Sequence, residues 1–206
     1  CNSAKGCSSM DNLTILKEID RTIKQCWKTN IQKDWWTEYL LREDSLKCAL
    51  YFHLRKKLDT ILRKNNLRIY PEFYFQELKY KADLAIVRID ENKEYHWLGD
   101  AVTEVVALFE LKYTGGEDAA TINWIKNDLK KFHDYMDIPK LSRCQFYFAV
   151  IYESERNCLN WLDTKSKNNW AKGRVTELDA GYINDEMIFE VFSYNGWNED
   201  LNDAED

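Results

Sequence analysis

The stretch Val105-Val106-Ala107-Leu108-Phe109-Glu110-Leu111-Lys112-Tyr113 constrains this chain more than any other. Its Val, Leu, Phe and Tyr content reads as a buried strand, where an unpaired charge is costly. Side chains alternate along a strand, so Glu110 and Lys112 project from one face with Leu108 and Val106 behind them. Upstream, Ala82-Asp83-Leu84-Ala85-Ile86-Val87 repeats the anomaly, with one carboxylate inside a second apolar run. An acid on one strand followed by acid-x-lysine on the next can hold a divalent cation beside a cationic side chain. Such a pair of elements suits phosphodiester hydrolysis, in which metal activates water and neutralises phosphate charge.

The 206 residues suffice for one well-filled core and are short for two. Apolar content of 45% with 14% aromatics indicates a folded chain. Seven glycines and two prolines leave little room for linkers, so residues 10–198 are expected to form a single domain. No apolar run approaches the roughly 18–20 residues needed to span a bilayer, and no membrane partner is expected. Six scattered cysteines without a CxxC pair speak against a structural zinc or iron–sulfur site, and Cys48 and Cys144 read as buried free thiols. A reducing cytoplasmic setting fits that usage. Residues 1–9, small and polar and ahead of Met10, are expected to be disordered or left over from expression.

The net charge of −6 weighs against a general nucleic-acid binder. Residues 199–206 carry five acids and no base, an expected acidic tail. Basic residues gather instead at Arg55-Lys56-Lys57, Arg63-Lys64, and Lys126 with Lys130-Lys131. A global sum therefore leaves room for a local basic cleft.

Apolar spacing predicts a short helix over 13–26 and a longer one over 44–63, the latter on Leu46, Leu50, Leu54, Leu58 and Ile61 and ended by Asn65-Asn66. The stretch around Trp35-Trp36 reads as irregular. Strands are predicted over 67–75, 82–89 and 104–113, followed by a helix over 119–136 with Ile122, Ile125, Leu129, Phe132 and Met136 on one face. A strong strand over 144–152 follows, parallel to the Glu110 strand because a helix separates them. Residues 159–170 are ambiguous, and 187–194 reads as a late strand. The order is α-β-β-β-α-β, a sheet flanked by helices.

This order, with Asp83 on the second strand and Glu110-Leu111-Lys112 on the third, resembles the PD-(D/E)xK nuclease superfamily over about residues 43–152. Ala82 stands where the motif has its nominal Pro. The resemblance implies an α/β restriction-endonuclease-like αβββαβ core with a mixed central sheet flanked by helices. It implies that Asp83 and Glu110 hold Mg²⁺ or Mn²⁺ with the Leu111 carbonyl as a further ligand, while Lys112 orients water and stabilises phosphate charge. Many members add an acid from the preceding helix. Glu43 is that candidate, being in phase with Leu46 and Leu50, and an acid at a helix start also simply complements the dipole. Asp44 is the expected N-cap.

Other residues carry less. Glu72 and Glu77 flank an aromatic strand and read as solvated, and His53, His96 and His133 lack ligand spacing, with His53 read as a packing residue. The eight tryptophans serve packing or base stacking, and Lys126, Lys130 and Lys131 form a solvated face or a DNA-backbone contact. The expected activity is metal-dependent hydrolysis of DNA, by the chain alone, as a homodimer or with a partner protein. The alternative is a catalytically silent protein- or DNA-interaction module on the same fold.

Overall fold

The structure, a computed structural model, describes residues 11–74, 81–116 and 119–197. The expected leader (1–9), the acidic tail (199–206) and Glu77 lie outside the described residues. The chain opens with α1 (Asn12–Cys26), whose N-cap Asp11 accepts a bond from the Thr14 amide at 2.8 Å. A π-helical turn, Trp27–Ile31, carries it directly into α2 (Gln32–Trp36), so the Trp35-Trp36 stretch is helical and not irregular. The wider turn re-phases the apolar stripe so that Trp27 and Ile31 are both fully buried.

The helix expected over 44–63 is two helices, α3 (Glu43–Lys57) and α4 (Asp59–Lys64), broken where Leu58 takes φ −93° and ψ 1°. The break keeps Leu58 and Leu62 in the core. Cys48 lies on α3 between the inward Leu46 and Leu50, and is exposed, contrary to expectation; Cys144 is buried as expected. His53 is half-buried with its Nε2 2.7 Å from Asp34 Oδ2.

Six strands follow among the described residues: β1 (Leu67–Phe73), β2 (Ala82–Ile89), β3 (Val102–Thr114), then α5 (Ala119–Tyr135), β4 (Gln145–Glu155), the short α6 (Thr164–Asn168), β5 (Val175–Ile183) and β6 (Glu186–Ser193). They form one mixed sheet in chain order, antiparallel from β1 to β3, parallel from β3 through β5, and antiparallel at β6. The α5 crossover makes β3 and β4 parallel, as the spacing predicts. Pro71 is tolerated because β1 is an edge strand that pairs on one side only. β5 was not anticipated: its Glu177, Asp179 and Gly181 interrupt the apolar pattern, although both acids are buried.

Alternation divides the core. Leu84, Ile86, Phe109, Leu111, Tyr147 and Ala149 pack beneath the helices before the sheet. Ala85, Val87, Leu108, Phe146, Phe148 and Val150 face the opposite layer, with Ile125, Leu129 and Phe132 of α5. A buried polar network ties α1 down: Lys24 pairs with Asp20 at 2.5 Å, and Tyr147 and Asn195 donate to Asp20 at 2.7 and 2.9 Å. No described helix is long and apolar enough to cross a membrane.

Candidate active site

Antiparallel pairing sets the geometry. Leu84 stands opposite Phe109, so one step further Asp83 stands opposite Glu110. Leu84 and Phe109 belong to the first core layer. Asp83, Glu110 and Lys112, out of phase with them, point to the α5 side. Asp83 Oδ2 accepts the Leu111 amide at 2.9 Å. In a strand the N–H and C=O of one residue point the same way, so the Leu111 carbonyl also looks toward the β2 side. The three residues expected to act together are therefore brought to one face at one end of the sheet.

Two helices complete the cluster. From α5, Asp128 Oδ2 lies 2.9 Å from Lys112 Nζ and Asp128 Oδ1 lies 2.5 Å from Lys131 Nζ. From α3, Glu43 Oε2 lies 3.1 Å from Lys112, and Lys47 Nζ lies 2.9 Å from Asp83 Oδ1 while also pairing with Glu72. Glu43 thus meets Lys112 directly. The helix start is secured instead by Ser45, whose Oγ accepts the Leu41 and Arg42 amides at 2.8 and 3.0 Å; Asp44 is exposed inside the first turn and is not the N-cap. Sequence reasoning missed Lys47, Asp128 and Lys131 as neighbours. Their signals were present: Asp128 falls between Ile125 and Phe132 on the inward stripe, and Lys47 is one turn from Glu43.

Glu110 is the anomaly. It is 3% exposed, Oε2 is 3.9 Å from Lys131 Nζ, and Oε1 is buried with no hydrogen-bond partner among the described residues. Burial, then the charge of Asp83, pushes its pKa up to about 8, with Lys131 and Lys112 only partly opposing. The lysines behave oppositely. Burial disfavours the Lys112 ammonium, but hydrogen bonds to Asp128 and Glu43 outweigh it and raise the pKa above that of an ordinary lysine. Lys47 and Lys131 are raised in the same manner, by Glu72 with Asp83 and by Asp128. Asp128 is held low despite its burial because two lysines donate to it. Lys112 is therefore a fixed cation, unsuited to accept a proton at neutral pH.

A cleft of about 450 Å³ opens over Lys112, Glu43 and Asp128, with Trp124, 68% exposed, at its side. The carboxylates of Asp83 and Glu110 stand on neighbouring strands, with the Leu111 amide bonded to Asp83. No group of three or more His, Cys, Asp or Glu side chains suited to a metal forms among the described residues. Comparison with known proteins finds no matching family model, no similar curated protein and no similar solved structure.

Proposed function

We propose that this chain is a metal-dependent nuclease with a restriction-endonuclease-like core, hydrolysing DNA phosphodiester bonds at Asp83, Glu110 and Lys112. Supporting the core is the succession α3, β1, β2, β3, α5, β4, with the acid on β2 and acid-x-lysine on β3 sharing one face. The single observation that carries the reading is Glu110, a nearly buried carboxyl with one oxygen unpartnered among the described residues and a second carboxylate opposite it. Structure alone gives little reason to place an acid there.

The donor set fits a hard divalent cation, which takes oxygen ligands and needs only one or two carboxylates with the remainder water. Asp83, Glu110 and the Leu111 carbonyl would hold Mg²⁺ or Mn²⁺. When bound, such an ion supplies Lewis-acid polarisation of the phosphate and a more acidic water. Lys112 presents its ammonium to the cleft and stabilises negative charge developing on the phosphate. Asp128 and Glu43 hold that ammonium in place from two sides, and Lys47 steadies Asp83.

A second reading, a catalytically silent interaction module on the same fold, is favoured by one observation: Lys47 already occupies Asp83 Oδ1. The test is Mg²⁺- and Mn²⁺-dependent cleavage of linear, supercoiled and single-stranded DNA, alone and at concentrations that permit dimers, with Asp83→Ala and Lys112→Ala alongside. Cleavage abolished in both variants, with unchanged circular dichroism, supports the nuclease. No cleavage together with no calorimetric metal binding supports the silent module.

A further inference from the structure

A groove of about 550 Å³ lies on the other flank of α5, between that helix and α6. Its lining includes Lys126, Lys130 and His133 of α5, Lys165 of α6, and Trp161 and Trp170. We propose that this groove seats an unpaired nucleic-acid strand, with its phosphates on the three lysines and a base against Trp170.

The lysines are exposed, and none is ion-paired with a described residue, unlike Lys112 and Lys131 across the helix. They are available to phosphate. The aromatics divide the remaining work. Trp161 is nearly buried, with the Arg156 guanidinium 3.6 Å from its ring centre, so it forms a wall. Trp170 is only half-buried, its ring edge-on to His133 at 5.5 Å, and retains surface for a base. The wall is rigid because the buried Glu177 accepts the Trp161 and Leu162 amides at 2.6 and 3.2 Å and the Tyr194 hydroxyl at 2.8 Å. A basic track beside an aromatic platform is how sequence-tolerant single-strand binding is built. Bases stacked inside a duplex cannot reach Trp170, and three lysines on two elements exceed the need of one phosphate. The strand's destination rests on the nuclease reading, since Trp124 and Asp128 carry the same helix over to the catalytic cleft. The binding itself does not.

The experiment is therefore run in EDTA, where loss of catalysis and loss of binding are separable. An oligothymidylate of about 12 nucleotides is titrated into the full chain, read by tryptophan quenching, against a duplex of equal length and thymidine monophosphate. The expected result is quenching by the strand with at least about tenfold preference over duplex. Trp170→Leu should weaken binding about tenfold and Trp170→Phe should restore it, with the salt slope unchanged in both. Lys126→Ala with Lys130→Ala should reduce the slope of log K against log salt by about 1.4. Lys56→Ala with Lys57→Ala, on α3, should bind as the parent does. Equal or tighter duplex binding overturns the proposal. So do full competition by the mononucleotide at equal nucleotide concentration, and wild-type affinity in correctly folded groove variants.

Discussion

Replacing Glu110 with Gln in metal-free buffer should make the protein more stable at alkaline pH and leave it nearly unchanged at acid pH. In the fold, burial and the neighbouring Asp83 charge lift the carboxyl from 4.5 to about 8. In the unfolded chain it titrates near its ordinary value. Between those two pH values the native state holds a proton that the unfolded state has released, so stability falls as pH rises. The contribution is complete below the unfolded pKa and is lost by the folded one. At about 1.4 kcal/mol per pH unit, the window amounts to on the order of 5 kcal/mol. Gln has the same shape and does not titrate. The difference in unfolding free energy between Glu110→Gln and the parent should therefore be flat at low pH and climb through the window by several kcal/mol. Urea denaturation followed by tryptophan fluorescence, in EDTA from about pH 4 to pH 9, measures it directly. The difference matters more than either curve, because Asp20, Glu177 and Asp179 are also raised by burial and tilt both curves alike. Parallel curves across the window would refute the inference that Glu110 is buried and protonated when metal is absent.

Three further outcomes follow from the same geometry. Asp128→Asn removes the stronger of the two anchors on Lys112, so cleavage should fall about 10- to 100-fold and its alkaline limb should move to lower pH; an unmoved limb in the pH–rate profile counts against the anchoring role. Lys47→Met frees Asp83 Oδ1, and calorimetric Mn²⁺ affinity should rise several-fold; unchanged affinity would show that the lysine does not compete with metal. Asp179 is fully buried with both carboxylate oxygens unpartnered among the described residues, so Asp179→Leu should raise stability by about 1–3 kcal/mol at pH 8, read as a higher urea midpoint; a lower midpoint would mean that the acid has a partner in solution.

Alternation along β2 and β3 was legible because it needs only a period of two, and it alone placed Asp83, Glu110 and Lys112 on one face. The α5 crossover was legible because parallel neighbours need a long connection, and a helix between two strands supplies it. What stayed hidden depends on tertiary partners. β5 carries two buried acids, and no local pattern announces that Glu177 is satisfied by amides of residues 161 and 162. The break at Leu58 leaves Leu46, Leu50, Leu54 and Leu58 buried and adds Leu62 to the core beside the partly buried Ile61, a shift of one residue that periodicity could not detect. Lys47, Asp128 and Lys131 looked like ordinary solvated helix charges. Helix phase put Asp128 on the inward stripe and Lys47 beside Glu43, but which strand charge each meets, Lys112 for Asp128, Asp83 for Lys47 and Glu110 for Lys131, is decided by packing.

A stabilising ion-pair ladder and a site prepared for metal differ in what they leave over. Here Asp83 has Lys47 and the Leu111 amide, Asp128 has two lysines, and Glu43 has Lys112. Each is answered at hydrogen-bond distance. Glu110 is the most buried acid of the group and the one left short, with Lys131 at 3.9 Å on one oxygen and no described residue bonded to the other. An apolar residue there would extend the packing of Leu108 and avoid the cost of burying a carboxyl; Val106, expected on the same face, packs on the other because the β2–β3 register shifts between Ile86 and Val87. Folding by itself therefore selects against Glu110. A cation at the proposed site would answer that carboxyl, so metal binding by this one side chain, more than cleavage itself, is the property that tells the nuclease reading from the silent module.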